Sequence, residues 1–293
     1  MIMNNNNPIG VFDSGVGGLT VAREIFRNLP NEEILYYGDT ARVPYGNKSP
    51  ETIRRYSGQI ARFLLSEGVK AIVIACNTAS ALALDSVRGI TDVPVIGVVE
   101  PGAIAAVKET VSGRIGIIGT NATIGSGIYE KYIKELLPDA RVFGKACPLF
   151  VPLVEEGIID DPVTVTMIHR YLDDMIHDDH IDSLILGCTH YPVLRSVIAR
   201  EIGGTFAGSP GLASGDRSGI TLVNPAYTTA MELKNLLKEK GLSADSPEQL
   251  SPDSSSVHPR HRFVVSDGPD SFRSFASRIL EMNIPDVQLK VLE

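Results

Sequence analysis

The stretch Lys70-Ala71-Ile72-Val73-Ile74-Ala75-Cys76-Asn77-Thr78-Ala79-Ser80-Ala81 limits the possible folds of this chain more than any other. Its unbroken run of small and branched apolar residues fits a strand buried on both faces, as in parallel sheets covered by helices. Asn77, Thr78 and Ser80 are N-cap candidates for a helix running to Arg88. Cys76 is therefore expected at the carboxyl end of a strand and the amino end of a helix. Open α/β sheets bind ligands there, and backbone N–H groups favour anions. The same order of residue types returns 112 positions later in Ser183-Leu184-Ile185-Leu186-Gly187-Cys188-Thr189-His190-Tyr191-Pro192, with a helix from about Val193. Either cysteine alone reads equally well as a small buried hydrophobe. Their repetition favours two facing sites.

The rest of the chain alternates in the same way. Ile9–Phe12 reads as a strand, Asp13–Gly18 as a loop and Leu19–Leu29 as an amphipathic helix. The glycine loop matches neither Gly-x-Gly-x-x-Gly nor Gly-Lys-Ser/Thr, so a tight turn that lets the backbone approach a small ligand is the simpler reading. Asp13 is either a helix cap or a functional acid. Strand Ile34–Asp39 runs into loop Thr40–Pro50, expected over the mouth of a site, and a helix with proline in its first turn follows. After strand Val93–Val99, Glu100-Pro101-Gly102 looks like a crossing point. The pattern then restarts with helix Ala103–Thr110, strand Arg114–Gly119, loop Thr120–Thr123 and helix Gly127–Leu137. Asp13 precedes Cys76 by 63 residues and Thr120 precedes Cys188 by 68, in keeping with an internal duplication. Cys147, followed by proline and lacking a polar cap, reads as structural. Glu155 and Glu156 read as a solvated helix face. Residues 208–218 and 243–259, rich in Ser, Pro and Asp, read as loops, and strand Arg262–Ser266 and helix Phe272–Leu280 close the chain.

This alternation predicts an α/β protein with parallel sheets, and its restart after Glu100 predicts two similar domains. One domain is expected to hold residues 1–99 and 228–293 and to carry Cys76. The other holds 100–227 and carries Cys188. A length of 293 residues suits two such domains, and 43% hydrophobic against 21% charged residues suits a buried core. Three cysteines point to free thiols in a reducing cytoplasm, and the start of the chain has no secretory pattern. A net charge of −8 argues against nucleic acid or an anionic membrane as partner, while leaving room for a small anionic substrate.

Two thiols facing each other across a cleft suit proton transfer, one taking a proton and the other giving one. Asp13 and His190 are placed to set their protonation states. Zinc is the competing use of Cys and His, but the ligands are scattered singly without Cys-x-x-Cys.

Asp13-Ser14-Gly15-Val16-Gly17-Gly18, Gly38-Asp39-Thr40 with Val43-Pro44-Tyr45-Gly46, Ala75-Cys76-Asn77-Thr78-Ala79-Ser80 and Gly187-Cys188-Thr189-His190-Tyr191-Pro192 together resemble the bacterial glutamate racemases of the aspartate/glutamate racemase superfamily. The resemblance runs from Pro8 to about Lys240, and more loosely to Leu280. It implies two similar α/β domains related by a pseudo-twofold axis, with the active site in the cleft between them. It implies cofactor-independent interconversion of L- and D-glutamate for peptidoglycan, with Cys76 and Cys188 as the proton-transfer residues and no metal. It also implies substrate contacts from Asp13, Ser14, Tyr45, Gly46, Asn77, Thr78, Thr120, Thr189 and His190, and an assisting role for Glu155 near the second cysteine. Asn224-Pro225 departs from the family pattern. Neighbouring readings are an aspartate racemase, an arylmalonate-decarboxylase-like enzyme, which one thiol would serve, and an inhibitor of DNA gyrase, which the charge does not favour. A glutamate-sized substrate and a homodimer are the partners such a family suggests.

Overall fold

The computed structural model describes residues 4–206, 219–244, 261–284 and 286–293. In chain order it begins with β1 (Ile9–Asp13), α1 (Leu19–Asn28), β2 (Ile34–Gly38), α2 (Pro50–Ser66), β3 (Ala71–Ile74), α3 (Asn77–Arg88) and β4 (Val95–Gly97). A second run follows: α4 (Val99–Glu109), β5 (Arg114–Gly119), α5 (Asn121–Gly125), α6 (Ile128–Leu136), β6 (Arg141–Ala146), α7 (Phe150–Glu155), α8 (Pro162–His177), β7 (Ser183–Gly187), α9 (Arg195–Ile202), β8 (Thr205–Phe206) and β9 (Thr221–Val223). The chain ends with α10 (Pro225–Glu239), β10 (Arg262–Val265), α11 (Pro269–Leu280) and β11 (Gln288–Leu289).

Among the described residues these strands form two sheets, ordered β11-β10-β2-β1-β3-β4 and β6-β5-β7-β9-β8, and every pairing is parallel. The order β2-β1-β3-β4 of the first is repeated as β6-β5-β7-β9 in the second. Every residue of β1, β3 and β7 is buried, as expected of strands covered on both faces. Burying each Ile, Val or Leu of such a strand contributes about 1.5–3 kcal/mol, so the continuous apolar runs hold the sheet centres. β10 pairs with β2, which returns the end of the chain to the first sheet. α10 packs on α1 and α4 and so links the two layers; the expected crossings at 99/100 and 227/228 fall inside α4 and α10.

Local differences from the sequence reading have local causes. The N-cap of α3 is Cys76 itself, whose sulfur accepts the Ala79 N–H at 3.5 Å, and not Asn77, Thr78 or Ser80. The Ser80 hydroxyl instead accepts the Val99 N–H at 3.3 Å, starting α4 four residues before the expected Ala103 and absorbing Glu100-Pro101-Gly102 into its first turns. Residues 120–123, expected as a loop, open the short α5, because Thr120 Oγ1 accepts the Thr123 N–H at 3.2 Å. Cys188 is followed by a 3₁₀ turn, Tyr191–Leu194, before α9, so the two cysteine segments are not structurally identical. Most of the Ser/Pro-rich stretches 208–218 and 243–259 lies outside the described residues.

Candidate active site

Asp13 ends β1, Cys76 follows β3, Thr120 follows β5 and Cys188 follows β7. All four stand at the carboxyl ends of parallel strands, where this class of sheet leaves a crevice. Cys76 and Cys188, one from each sheet, line a single cavity together with Ser14, Tyr45, Gly46, Asn77, Thr78, Thr120, Thr189 and His190. That is every expected substrate contact except Asp13, whose carboxylate instead accepts from the hydroxyl of the lining residue Thr189. The cavity holds about 30 Å³, room for a water or two. Larger hollows, about 300 and 420 Å³, lie elsewhere and contain neither thiol. Here the chemistry marks the site and size does not.

Glycines let the two halves close on each other. A Cβ on Gly17 would stand 2.3 Å from Thr189 Oγ1 and 2.7 Å from His190 Nδ1, and one on Gly46 would stand 2.7 Å from Thr120 Cβ. The glycine loop after β1 therefore admits residues of the other sheet, where the sequence suggested approach to a ligand. The Thr20 hydroxyl reinforces this contact by donating to Thr189 O at 3.3 Å.

The thiols have different company. Cys76 donates to Ser14 Oγ at 3.7 Å. Burial, and then the Asp13 carboxylate, push its thiol up to about 12, against the opposing Ala79 N–H and Ser14 hydroxyl. Asp13 is itself fully buried; its Oδ2 accepts the Gly15 N–H at 2.9 Å and its Oδ1 the Thr189 hydroxyl at 3.4 Å. Desolvation raises the Asp13 carboxyl above its ordinary range, while the His190 charge and these donors pull against it. Cys188 Sγ lies 3.8 Å from His190 Nδ1, and His190 Nε2 lies 3.1 Å from Glu155 Oε1. Burial opposes a charge on His190, yet its hydrogen bonds to Cys188 and Glu155 and the Asp13 carboxylate carry it up to about 10. Glu155, at the end of α7, stays exposed as the sequence suggested, yet its carboxylate also reaches the buried imidazole. Cys147 is buried 3.7 Å from Lys145 O and takes no part in the cavity.

The 40–50 loop covers the cavity, and Arg42 orders it. Its guanidinium donates to Asp39 at 2.8 Å and to Gln59 Oε1 at 2.7 Å and lies over the Tyr56 ring. Asp39 also accepts from the Tyr45 hydroxyl, and from Ser266 Oγ at 3.0 Å. Among the described residues no arginine lines the cavity, and no three of His, Cys, Asp and Glu converge as a metal-binding group. Sequence reasoning missed the lining residues Val43, Pro44 and Val151 as individual contacts. It also missed Thr123, which joins Thr78 and Thr120 at 3.1 and 3.0 Å, and Tyr129, which donates to Asn77 Oδ1 at 2.6 Å. Thr123 is legible afterwards as the capped partner of Thr120. Tyr129 sits in an ordinary amphipathic helix and leaves no signal.

The sequence model of the Asp/Glu/hydantoin racemase family matches residues 9–216. A glutamate racemase of Chlorobaculum tepidum is 44% identical over 288 residues, covering 98% of this chain and 97% of that protein. A glutamate racemase of Geobacter metallireducens is 44% identical over 285 residues, covering 97% of each. Among solved structures, glutamate racemase from Francisella tularensis in complex with D-glutamate matches with a TM-score of 0.85 at 36% identity, covering 99% of both chains. No helix among the described residues is long and apolar enough to cross a membrane.

Proposed function

Because the chain belongs to the Asp/Glu/hydantoin racemase family, we propose that this amino-acid racemase interconverts L- and D-glutamate by two-base proton transfer between Cys76 and Cys188, supplying D-glutamate for peptidoglycan. The observation that carries the reading is that two thiols from opposite sheets line one cavity. Inversion requires the α-proton to leave one face and a proton to arrive on the other, which one base does not easily serve.

The unequal surroundings of the thiols suit a defined starting state. His190, whose imidazole is pushed up by its surroundings, stands 3.8 Å from Cys188, and burial with the field of Asp13 keeps Cys76 as the thiol. Cys188 then removes the α-proton of L-glutamate while Cys76 delivers a proton to the opposite face. The reverse reaction starts from D-glutamate with Cys76 as base. A thiol pushed up in this way is a stronger base once deprotonated, which matters because the α-proton is only weakly acidic. Exclusion of water in so small a cavity strengthens every charge interaction within it. Ser14, Asn77, Thr78, Thr189 and the Gly46 N–H are the groups proposed to hold the two carboxylates. Asp13 and His190 are proposed to tune the thiols, with Glu155 holding the imidazole in place.

A circular-dichroism time course on the purified protein with each enantiomer of glutamate and of aspartate tests this. Loss of signal from both glutamate enantiomers toward zero is expected. A reaction confined to aspartate, or none, would overturn it.

A further inference from the structure

We propose that Tyr129 is a positioning residue that holds Asn77 as a hydrogen-bond donor toward a substrate carboxylate, an inference that rests on the glutamate reading above. Tyr129 lies on α6, within the apolar layer of the second sheet formed with Ile115, Ile117, Ile133, Ile185 and Val223. Asn77 is the first residue of α3, against the first sheet. The phenol therefore reaches across the interface to an amide that lines the cavity beside both cysteines.

The direction of the bond follows from burial. Tyr129 is 2% exposed, and desolvation together with the charge of Cys188 pushes its hydroxyl well above the usual phenol range. The phenol keeps its proton, and a buried O–H needs an acceptor. Asn77 Oδ1, at 2.6 Å, is that acceptor. An amide carries its acceptor and its two donors on separate atoms. With Oδ1 held by Tyr129, the Nδ2 group is left without an acceptor among the described residues and is offered to the cavity. Turned over, the amide would present an oxygen to an anionic substrate and leave the phenol proton unpaired. Room for the ring is built in. A Cβ on Gly102 would approach the Tyr129 hydroxyl to 3.2 Å, and one on Gly187 would approach the ring edge to 3.3 Å. The bond spans the interface, so the donor is set only when the two halves are together.

The test is Tyr129→Phe, alone and combined with Asn77→Ala, with racemisation followed from each enantiomer. Loss of a donor that serves bound substrate throughout the reaction raises KM and spares kcat. We expect KM to rise roughly tenfold for both enantiomers, the size of one charge-assisted hydrogen bond, with kcat within about twofold. In the Asn77→Ala background, Tyr129→Phe should add nothing further. An unchanged KM, or a KM rise that persists undiminished without Asn77, overturns the proposal. Asn77→Asp is the second arm and does not depend on the phenylalanine variant folding. It keeps the acceptor for Tyr129 but replaces the donor with an acceptor, and should weaken glutamate binding more than Asn77→Ala does. Equal or tighter binding also overturns the proposal. Wild-type protein inactive on glutamate would overturn the functional reading instead, so the two failures are told apart.

Discussion

His190 holds Glu155 by one ring nitrogen, Nε2 to Oε1 at 3.1 Å, and faces Cys188 with the other. The carboxylate, 39% exposed, touches water while the imidazole is almost wholly buried. A charged group at the rim thus fixes the orientation and protonation of one inside.

That chain of contacts predicts graded effects. His190→Asn removes both the charge and the contact to Cys188, and should lower kcat/KM by about 10²–10⁴, the usual range for losing assistance to a proton transfer. Glu155→Gln keeps a hydrogen-bond acceptor and should lower it by about tenfold or less. Steady-state kinetics on both variants check this. A Glu155→Gln loss as large as that of His190→Asn would mean that the carboxylate acts on substrate directly.

The assignment of one thiol to each face needs a readout other than rate. The enantiomers have equal free energies, so kcat/KM is the same in both directions for every variant. Isotope exchange separates them. Cys76→Ala should lose racemisation yet still exchange the α-hydrogen of L-glutamate in deuterated water, through Cys188. Cys188→Ala should exchange that of D-glutamate. NMR of the α-proton measures both, and exchange from the opposite enantiomers would reverse the assignment.

Gly17→Ala tests the closeness of the two sheets. Its Cβ would meet Thr189 Oγ1 at 2.3 Å and His190 Nδ1 at 2.7 Å, so the second loop must retreat. A displacement near 1 Å in a catalytic group costs on the order of 10²-fold in rate. We expect that loss in kcat/KM with a circular-dichroism spectrum like that of the wild type. Full activity would show that the contact is dispensable.

Away from the site, Lys70 and Glu32 form a buried ion pair at 2.5 Å, and Glu32 Oε1 accepts the Ala244 N–H at 2.8 Å. Lys70→Ala leaves a buried carboxylate without this cation and should cost about 3–5 kcal/mol. Adding Glu32→Leu to Lys70→Met should recover most of that. Urea unfolding reports both, and a double variant no more stable than Lys70→Ala would show that the pair is not the cause.

His261 stacks on Phe26 with ring centroids 3.9 Å apart, and burial pushes its imidazole down to about 4. The unfolded chain binds this proton from about pH 6.5 downward and the folded chain does not until about 4. Its contribution is therefore intact above 6.5 and is lost as pH falls toward 4. His261→Phe keeps the stack and should lose less thermal stability between pH 7 and pH 4.5 than the wild type. Parallel losses would assign the acid sensitivity to other groups.

Much of this protein was legible along the chain because apolar period and punctuation are local. The runs at 71–75 and 183–187 could be little other than buried strands, and each cysteine that follows such a run falls at a carboxyl edge. The repeat of Asp13 and Cys76 in Thr120 and Cys188 likewise pointed to an internal duplication, and the two sheets share one strand order. Tertiary structure decided what depends on the other half of the molecule. Cys76 caps its own helix, and Ser80 instead accepts the N–H that starts α4. Glu155, read as solvated, reaches His190 across 35 residues, and Tyr129 reaches Asn77 across 52. The two thiols, alike in sequence context, differ because one is buried beside a carboxylate and the other beside an imidazole. Desolvation and Coulomb energy depend on what surrounds a group in space, and residues distant in the chain supply those surroundings.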